Sequence, residues 1–341
     1  MDALSEILHA VKLEGAVFFN AEFTAPWGFR SPPSCEVASF LGKAPRHVII
    51  YHLLTEGRAR VNVEHRAESI ELVPGDIVIF PHGDPHIMFN GRPPSLVDTG
   101  SQLKEIFSQG LILSHGGGGG EPSRFVCGYL ECDPELCKRF SGGLPPVFKV
   151  NIRNDSAGQW LENSIRFSAH QAGENRAGSD AVLARLSEAL FVETLRRYMS
   201  ELPAQQTGWL AGARDPSVGA ALAHLHRSPE RPWTIAALAQ QVGVSRSVLA
   251  ERFRHFLGEP PMTYLSRWRL QLGARLLATT SYGVARVSGE VGYESEQAFN
   301  RAFKREFGLP PARFRSRAKP AGAAAGHKDG SRLRAQRATA R

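Results

Sequence analysis

At 341 residues the chain is too long for one typical domain and has room for two, each with its own core. A composition of 42% hydrophobic, 22% charged and 9% aromatic residues excludes a disordered or fibrous protein. No apolar run approaches the roughly 18 residues of a membrane-spanning helix. The first residues carry Asp2 and Glu6 where a secretory signal would be basic and then apolar, so a soluble, cytoplasmic protein without membrane contact is expected. The net charge of +8 is unevenly held: residues 1–218 carry 20 Lys/Arg against 25 Asp/Glu, residues 219–318 carry 15 against 7, and residues 319–341 carry 6 against 1. A basic C-terminal block on an acidic chain fits a nucleic-acid-binding domain joined to another domain.

In chain order, residues 37–150 read as short strands. Val48–Leu54, Arg58–Val63, Ser69–Val73 and Ile77–Phe80 are β-branched or alternating, and Pro74-Gly75-Asp76 is a turn. His115 and Gly116–Gly120 read as a hairpin loop, since no phosphate-binding Lys-Ser/Thr follows. Cys35, Cys127, Cys132 and Cys137 are too few for a disulfide scaffold. They are expected as free thiols, or less readily as ligands, because the Cys127-x4-Cys132-x4-Cys137 spacing is not that of a zinc knuckle. Helices are expected at Ala157–Ala169 and Asp180–Glu201; the second has an apolar stripe, including Leu186 and Leu190, that exceeds what a small domain need cover and so points to a dimer contact. Residues 206–214 are expected as a linker. Asp215-Pro216 then opens a new domain as an N-cap with proline at the first helical position, and residues 319–341 read as a disordered basic tail.

Within residues 215–318 lies a repeat of about 50 residues. Ser245, Phe253, Gly258, Pro260 and Pro261 recur at Ser295, Phe303, Gly308, Pro310 and Pro311; upstream, Leu238, Ala239, Val242 and Gly243 match Val287, Ser288, Val291 and Gly292 at an offset of 49. The second copy therefore has one extra residue in its turn. Ala239, Gly243 and Leu249 have helix-turn-helix spacing, and Ser288, Gly292 and Ala298 keep it. The small residue admits a crossing helix, the glycine turns the backbone, and the apolar residue fills the joint. Ser245 and Ser295 are placed to cap the second helices, with Gly258 and Gly308 ending them after about three turns, a length that suits a major groove.

These features resemble the AraC/XylS family of transcription regulators over Pro216–Arg315. The family's second-motif signature appears as Val291-Gly292-Tyr293, Ser295, Phe299, Arg301, Phe303-Lys304, Phe307-Gly308, Pro311 and Phe314-Arg315. Two departures are Gly273 in the connecting helix, where alanine is usual and where glycine costs about 1 kcal/mol, and Ser288 for another small residue. The resemblance implies an all-α domain whose linker helix, Thr263–Thr279, holds two motifs on successive major-groove segments. Carried over by position, the reading face is Arg246, Ser247, Ala250, Glu251 and Arg254 in the first motif and Glu296, Gln297, Asn300, Arg301 and Lys304 in the second. Gln297 and Asn300 can pair adenine, Arg301 can fork to guanine, and Glu251 or Glu296 can accept from cytosine. Arg246, Arg254 and Lys304 suit phosphates.

Gly75-x5-Pro81-x-Gly83-x2-His86-x3-Asn90 resembles the second motif of the cupin superfamily. That implies a small β-barrel in an α+β chain, with residues 1–205 forming the sensing and dimerisation domain. The first cupin motif is degenerate: His52 and Glu56 keep its spacing, but Ile50 stands where another histidine belongs. The expected site is an effector pocket lined by His52, His82 and His86, with no catalytic residue, metal or cofactor assigned. The reading adopted is a regulator that binds double-stranded promoter DNA in the major groove. It would take a small-molecule effector and form a homodimer, with RNA polymerase as a further candidate partner. A metal-dependent cupin enzyme with an accessory DNA domain and an architectural DNA binder without effector are the alternatives.

Overall fold

A computed structural model of the chain describes residues 2–318 apart from 12, 16–18, 35, 37–46, 64–68, 93–95, 99–111, 115–116, 134–135, 138–141 and 174–176. Cys35, His115, Gly116 and the basic tail at 319–341 lie outside the described residues. The chain forms two compact units, one of residues 1–227 with 234–261, the other of residues 228–233 with 262–341.

The first unit begins with α1 (Ala3–Val11), followed by twelve strands among the described residues: β1 (Glu14–Gly15), β2 (Phe19–Thr24), β3 (Trp27–Ser31), β4 (His47–Glu56), β5 (Ala59–Val63), β6 (Ile70–Leu72), β7 (Asp76–Phe80), β8 (His86–Asn90), β9 (Val97–Asp98), β10 (Ile112–Ser114), β11 (Pro122–Cys132) and β12 (Phe148–Asn151). They form two sheets and not the closed barrel expected from the motif. One has the order β10-β2-β11-β4-β7-β12 with β1 on β11; the other is β6-β5-β8-β3-β9. The apolar faces meet in one core that includes Phe23, Trp27, Phe29, Val61, Phe80, Met88 and Phe125, the arrangement by which two amphipathic sheets remove their apolar sides from water. Expected strands fall where β4 to β7 lie. The strands before residue 37 were not legible, because Phe19–Ser31 is interrupted by Pro26, which sits in the turn between β2 and β3.

The glycine run at 117–120 is not a hairpin loop. β10 and β11 both pair with β2, one parallel and one antiparallel, so the run crosses the end of β2. There Gly118 and Gly120 donate to the carbonyls of Thr24 and Ala25 at 3.0 and 2.9 Å, and side chains at 117 and 118 would collide with Thr24 and Pro26.

After the sheets come α2 (Ser156–Gly173) and α3 (Ser179–Glu201). The apolar stripe of α3 is used within the chain: Leu183, Leu190, Phe191 and Leu195 are buried, and Tyr198 stacks near Phe148 with ring centroids 4.4 Å apart. Of the two residues named for the expected dimer contact, Leu190 is thus used within the chain, while Leu186 is half-buried. The exposed apolar side chains in this region are Trp160 and Phe167, seven residues apart on α2, and Val182 on α3. The expected linker at 206–214 is also mostly a helix, α4 (Trp209–Arg214), with Trp209, Leu210 and Ala211 buried. Gly208 precedes that helix and donates to the Phe256 carbonyl at 2.8 Å, and Gly212 lies within it. Thus the first unit continues past residue 205, through α5 (Pro216–Arg227), α6 (Ile235–Gln241) and α7 (Arg246–Leu257). Asp215 caps α5 as expected, accepting from Ser217 and Val218 at 3.0 and 2.9 Å. The second unit holds α8 (Pro261–Thr279, shared at its first residue), α9 (Val284–Glu290), α10 (Glu296–Phe307) and α11 (Pro311–Ala318).

Candidate nucleic-acid interface

Each expected helix-turn-helix motif is present. In the first, α6 is capped by Thr234 and is followed by Gly243 at φ 71°. Ser245 then caps α7, its Oγ accepting from the Val248 amide at 3.2 Å, and Gly258 ends it at φ 73°. Leu238, Ala239, Leu249 and Phe253 are buried. In the second, Gly292 turns at φ 82°, Ser295 accepts from the Ala298 amide at 3.2 Å, and Gly308 ends α10 at φ 72°. Both α7 and α10 are 12 residues long. The joint in the second motif is filled by Phe299, which is fully buried, and not by Ala298. The extra turn residue lies between Gly292 and Ser295, so the position equivalent to Leu249 is four residues after the cap.

Most of the family signature proves to be packing. Val291, Phe299 and Phe303 share a core with Leu270, Ala274, Leu277 and Val287, against which Tyr293, Phe307 and Phe314 pack. Phe299–Phe303 and Phe303–Phe314 ring centroids are each 5.3 Å apart. Arg315 is structural: its guanidinium donates to the carbonyls of Leu277 and Tyr282 at the end of α8. Arg269 likewise donates to the carbonyls of Pro229 and Arg231 at 2.6 and 2.8 Å, and Arg252 pairs with buried Asp215. These three cations contribute to the basic balance but are tied to the protein.

The opposite sides of α7 and α10 are polar. Arg246, Ser247, Glu251 and Arg254 are exposed, with Ala250 half-buried; Glu296, Gln297, Arg301 and Lys304 are exposed, with Asn300 half-buried. Ser247 Oγ lies 3.0 Å from Ser245 Oγ, so that hydroxyl is engaged by the cap. Glu296 stands in the first turn of α10, where a carboxylate complements the helix dipole. Arg305, exposed in the last turn of the same helix, was overlooked in the sequence although it directly follows Lys304.

In the N-terminal half, the cupin-type motif places Gly75 and Gly83 at φ 90° and 66° around β7 and buries His86. His86 Nδ1 donates to the Asp84 carbonyl at 2.9 Å. A carbonyl can only accept, so the neutral ring presents Nε2 as an acceptor, and His52 Nε2–H donates to it at 2.8 Å. Phe80 stacks on His86 at 3.6 Å, and Phe29 packs against His52 at 6.0 Å. Burial removes the charged form of both rings: His86 is pushed down to about 4, and His52, buried and beside His86, well below its ordinary value. His52 Nδ1 is buried and has no hydrogen-bond partner.

The other residues of the expected site stand apart. His82 Nε2 donates to the Leu144 carbonyl at 3.1 Å. Glu56 pairs with Arg124 in a half-exposed cluster with Glu22. Ile50 is buried in the core. Cys127 is a buried free thiol, its pKa raised by burial. Cys132 and Cys137, expected as free thiols, are joined as a disulfide at the end of β11.

A cupin family model matches residues 2–200, and a helix-turn-helix domain model matches residues 238–317. A putative AraC-like transcription regulator of Streptomyces antibioticus is 31% identical over 276 residues, covering 80% of this chain and 88% of that one. The chain belongs to the AraC-like transcription regulators. Two further members are similar along almost their whole length. The HTH-type transcriptional regulator AlkR of Acinetobacter baylyi is 27% identical over 92% of this chain and 99% of its own, and a putative AraC-like regulator of Streptomyces lividans is 29% identical over 92% and 98%. As an AraC-like regulator, the chain binds DNA through its helix-turn-helix domain and carries a cupin-type domain in front of it.

Proposed function

We propose that this regulator reads its operator mainly through α10, with α7 supplying a second set of contacts. The observation that carries the reading is the division of α10: Phe299 and Phe303 are buried on one side, while Gln297, Arg301 and Lys304 stand exposed on the other. Arg301 has the planar fork that matches guanine O6 and N7, Gln297 can pair adenine, and Lys304, Arg246 and Arg254 anchor phosphates. Glu251 and Glu296 are the acceptors for cytosine.

The cupin-type half takes a small-molecule effector that shifts the DNA-binding equilibrium. Its support is the buried Nδ1 of His52, which has no hydrogen-bond partner beside the rings of Phe29 and Phe80. A metal-dependent cupin enzyme is disfavoured, since the two histidines it would need are bonded to each other and Glu56 is turned to Arg124. The protein acts in the cytoplasm as a homodimer, with RNA polymerase as its partner at the promoter. Trp160 and Phe167 on α2 are the better candidates for the dimer face than the buried stripe of α3.

The test of base reading compares Arg301→Ala with Lys304→Ala on a library of single-base operator variants. Arg301→Ala is expected to cost about 1–3 kcal/mol on the cognate site and to relax preference at one base pair. Lys304→Ala should weaken all sequences alike and lower the salt slope by about one unit. Equal loss on every variant with Arg301→Ala would remove Arg301 from the base-reading set.

A further inference from the structure

Three potential ligands converge where β4 begins and β11 ends. His47 is the first residue of β4 and is paired in register with Cys132, the last residue of β11. Cys137 lies at the same place, its amide donating to the Asp133 carbonyl at 2.8 Å. The ring nitrogen of His47 and the two sulfurs all lie within 4.8 Å of one another, with both cysteines buried and His47 half-buried. In the structure the sulfurs are bonded to each other.

Two thiolates and an imidazole are the donors that soft or borderline divalent cations prefer, and a tetrahedral zinc ion, with bonds of about 2.3 Å to sulfur and about 2.0 Å to nitrogen, sets its ligand atoms roughly 3.5–3.8 Å apart. Ligand atoms within 4.8 Å of one another are close enough to take up that spacing once the sulfur–sulfur bond is opened. His47 also has an outer partner of the kind metal-binding histidines use: its Nε2–H donates to the Pro81 carbonyl at 2.6 Å, which fixes the tautomer and leaves the lone pair on Nδ1. Cys127 takes no part; it lies in the sheet core, five residues before Cys132.

We propose that His47, Cys132 and Cys137 form a site for one divalent zinc-type cation when the cysteines are reduced, with the fourth position left to water. The disulfide is the metal-free form. A dithiol reductant converts one to the other: it gives two electrons and two protons as its own sulfurs close into a disulfide, and the Cys132–Cys137 bond opens to two thiols. The cation then displaces one proton from each thiol. The site is separate from the His52–His86 pair and does not depend on how the protein reads DNA.

The experiment titrates the full chain with Co2+ alone after reduction by a phosphine and under anaerobic conditions. The expected result is a sulfur-to-metal charge-transfer band that saturates at one equivalent and is bleached by Zn2+. It should be absent from the oxidised protein, lost in Cys132→Ser and Cys137→Ser, weakened at least tenfold in His47→Ala, and unchanged in Cys127→Ser. Absence of the band from the reduced, unsubstituted chain would overturn the proposal even if a variant failed to fold. An undiminished band in a folded Cys132→Ser protein would overturn it too.

Discussion

Acid should destabilise this protein through its buried histidine pair, and the structure gives the size. An unfolded histidine takes up a proton near pH 6.5, whereas His86 in the fold does so only at about 4. Below pH 6.5 the unfolded chain therefore binds more protons than the folded one. Stability is then lost as pH falls, until the folded ring itself titrates. Between pH 7 and 4.5 this amounts to about 2 kcal/mol for His86 alone. His52 is shifted in the same direction and adds to the loss. Urea unfolding of the full chain, followed by the far-ultraviolet signal, measures this at both pH values. A His52→Leu/His86→Met double variant serves as reference, because acid effects elsewhere in the chain are common to both proteins. The unsubstituted chain should lose at least about 2 kcal/mol more than the variant. Should the variant not fold, the ring proton resonances of the unsubstituted protein report the same quantity. Equal losses in both proteins, or a His86 resonance that titrates near 6.5, would show that the pair is hydrated and not buried.

Gly273→Ala should lower the stability of the second unit despite the better helix former. The new Cβ would lie 2.9 Å from two ring carbons of fully buried Phe299, and overpacking of about 1–3 kcal/mol outweighs a propensity gain of about 1 kcal/mol; a raised Tm would contradict this. Ser295→Ala removes the α10 cap and should cost about 1 kcal/mol, read by thermal unfolding, with base preferences retained. Leu190→Asp should unfold the first unit, because that side chain is fully buried, whereas Trp160→Asp with Phe167→Asp should keep the circular dichroism of the native chain and shift sedimentation from dimer to monomer. A folded Leu190→Asp monomer would restore α3 as the partner face.

What the sequence revealed follows from the range of the interactions involved. The caps at Ser245 and Ser295 and the stops at Gly258 and Gly308 act within four residues, so spacing alone located α7 and α10. The fate of the α3 stripe was hidden, because periodicity reports that Leu190 and Leu195 need a neighbour and not whether it is the same chain. His52 and His86 were legible one by one, but their mutual bond depends on β4 and β8 facing each other from different sheets. His47 and its cysteines were missed for a similar reason. The Cys127-x4-Cys132-x4-Cys137 spacing draws attention to three sulfurs, while the strand register pairs the middle one with a histidine 85 residues away.

The residues that identify the family and those proposed to choose an operator are largely different, and α10 shows why. Phe299, Phe303 and Phe307 pack and Ser295 and Gly308 terminate, so these signature positions fix where the helix stands without facing DNA bases. Arg301 and Lys304 belong to the signature yet are exposed, whereas Glu296, Gln297 and Asn300 lie outside it. An exposed residue that is part of a family motif is suited to what different operators share: a phosphate for Lys304, a recurring guanine for Arg301. On the proposed reading, discrimination between operators then falls on Gln297, one turn before Arg301 on the same face. Gln297→Ala should accordingly relax preference at a base pair adjacent to the one governed by Arg301, at a cost of about 1–3 kcal/mol on the cognate site. Selection of bound sequences from a randomised operator pool would show the two changes at separate positions. If both variants relax the same base pair, or Gln297→Ala relaxes none, the division of labour along α10 is refuted.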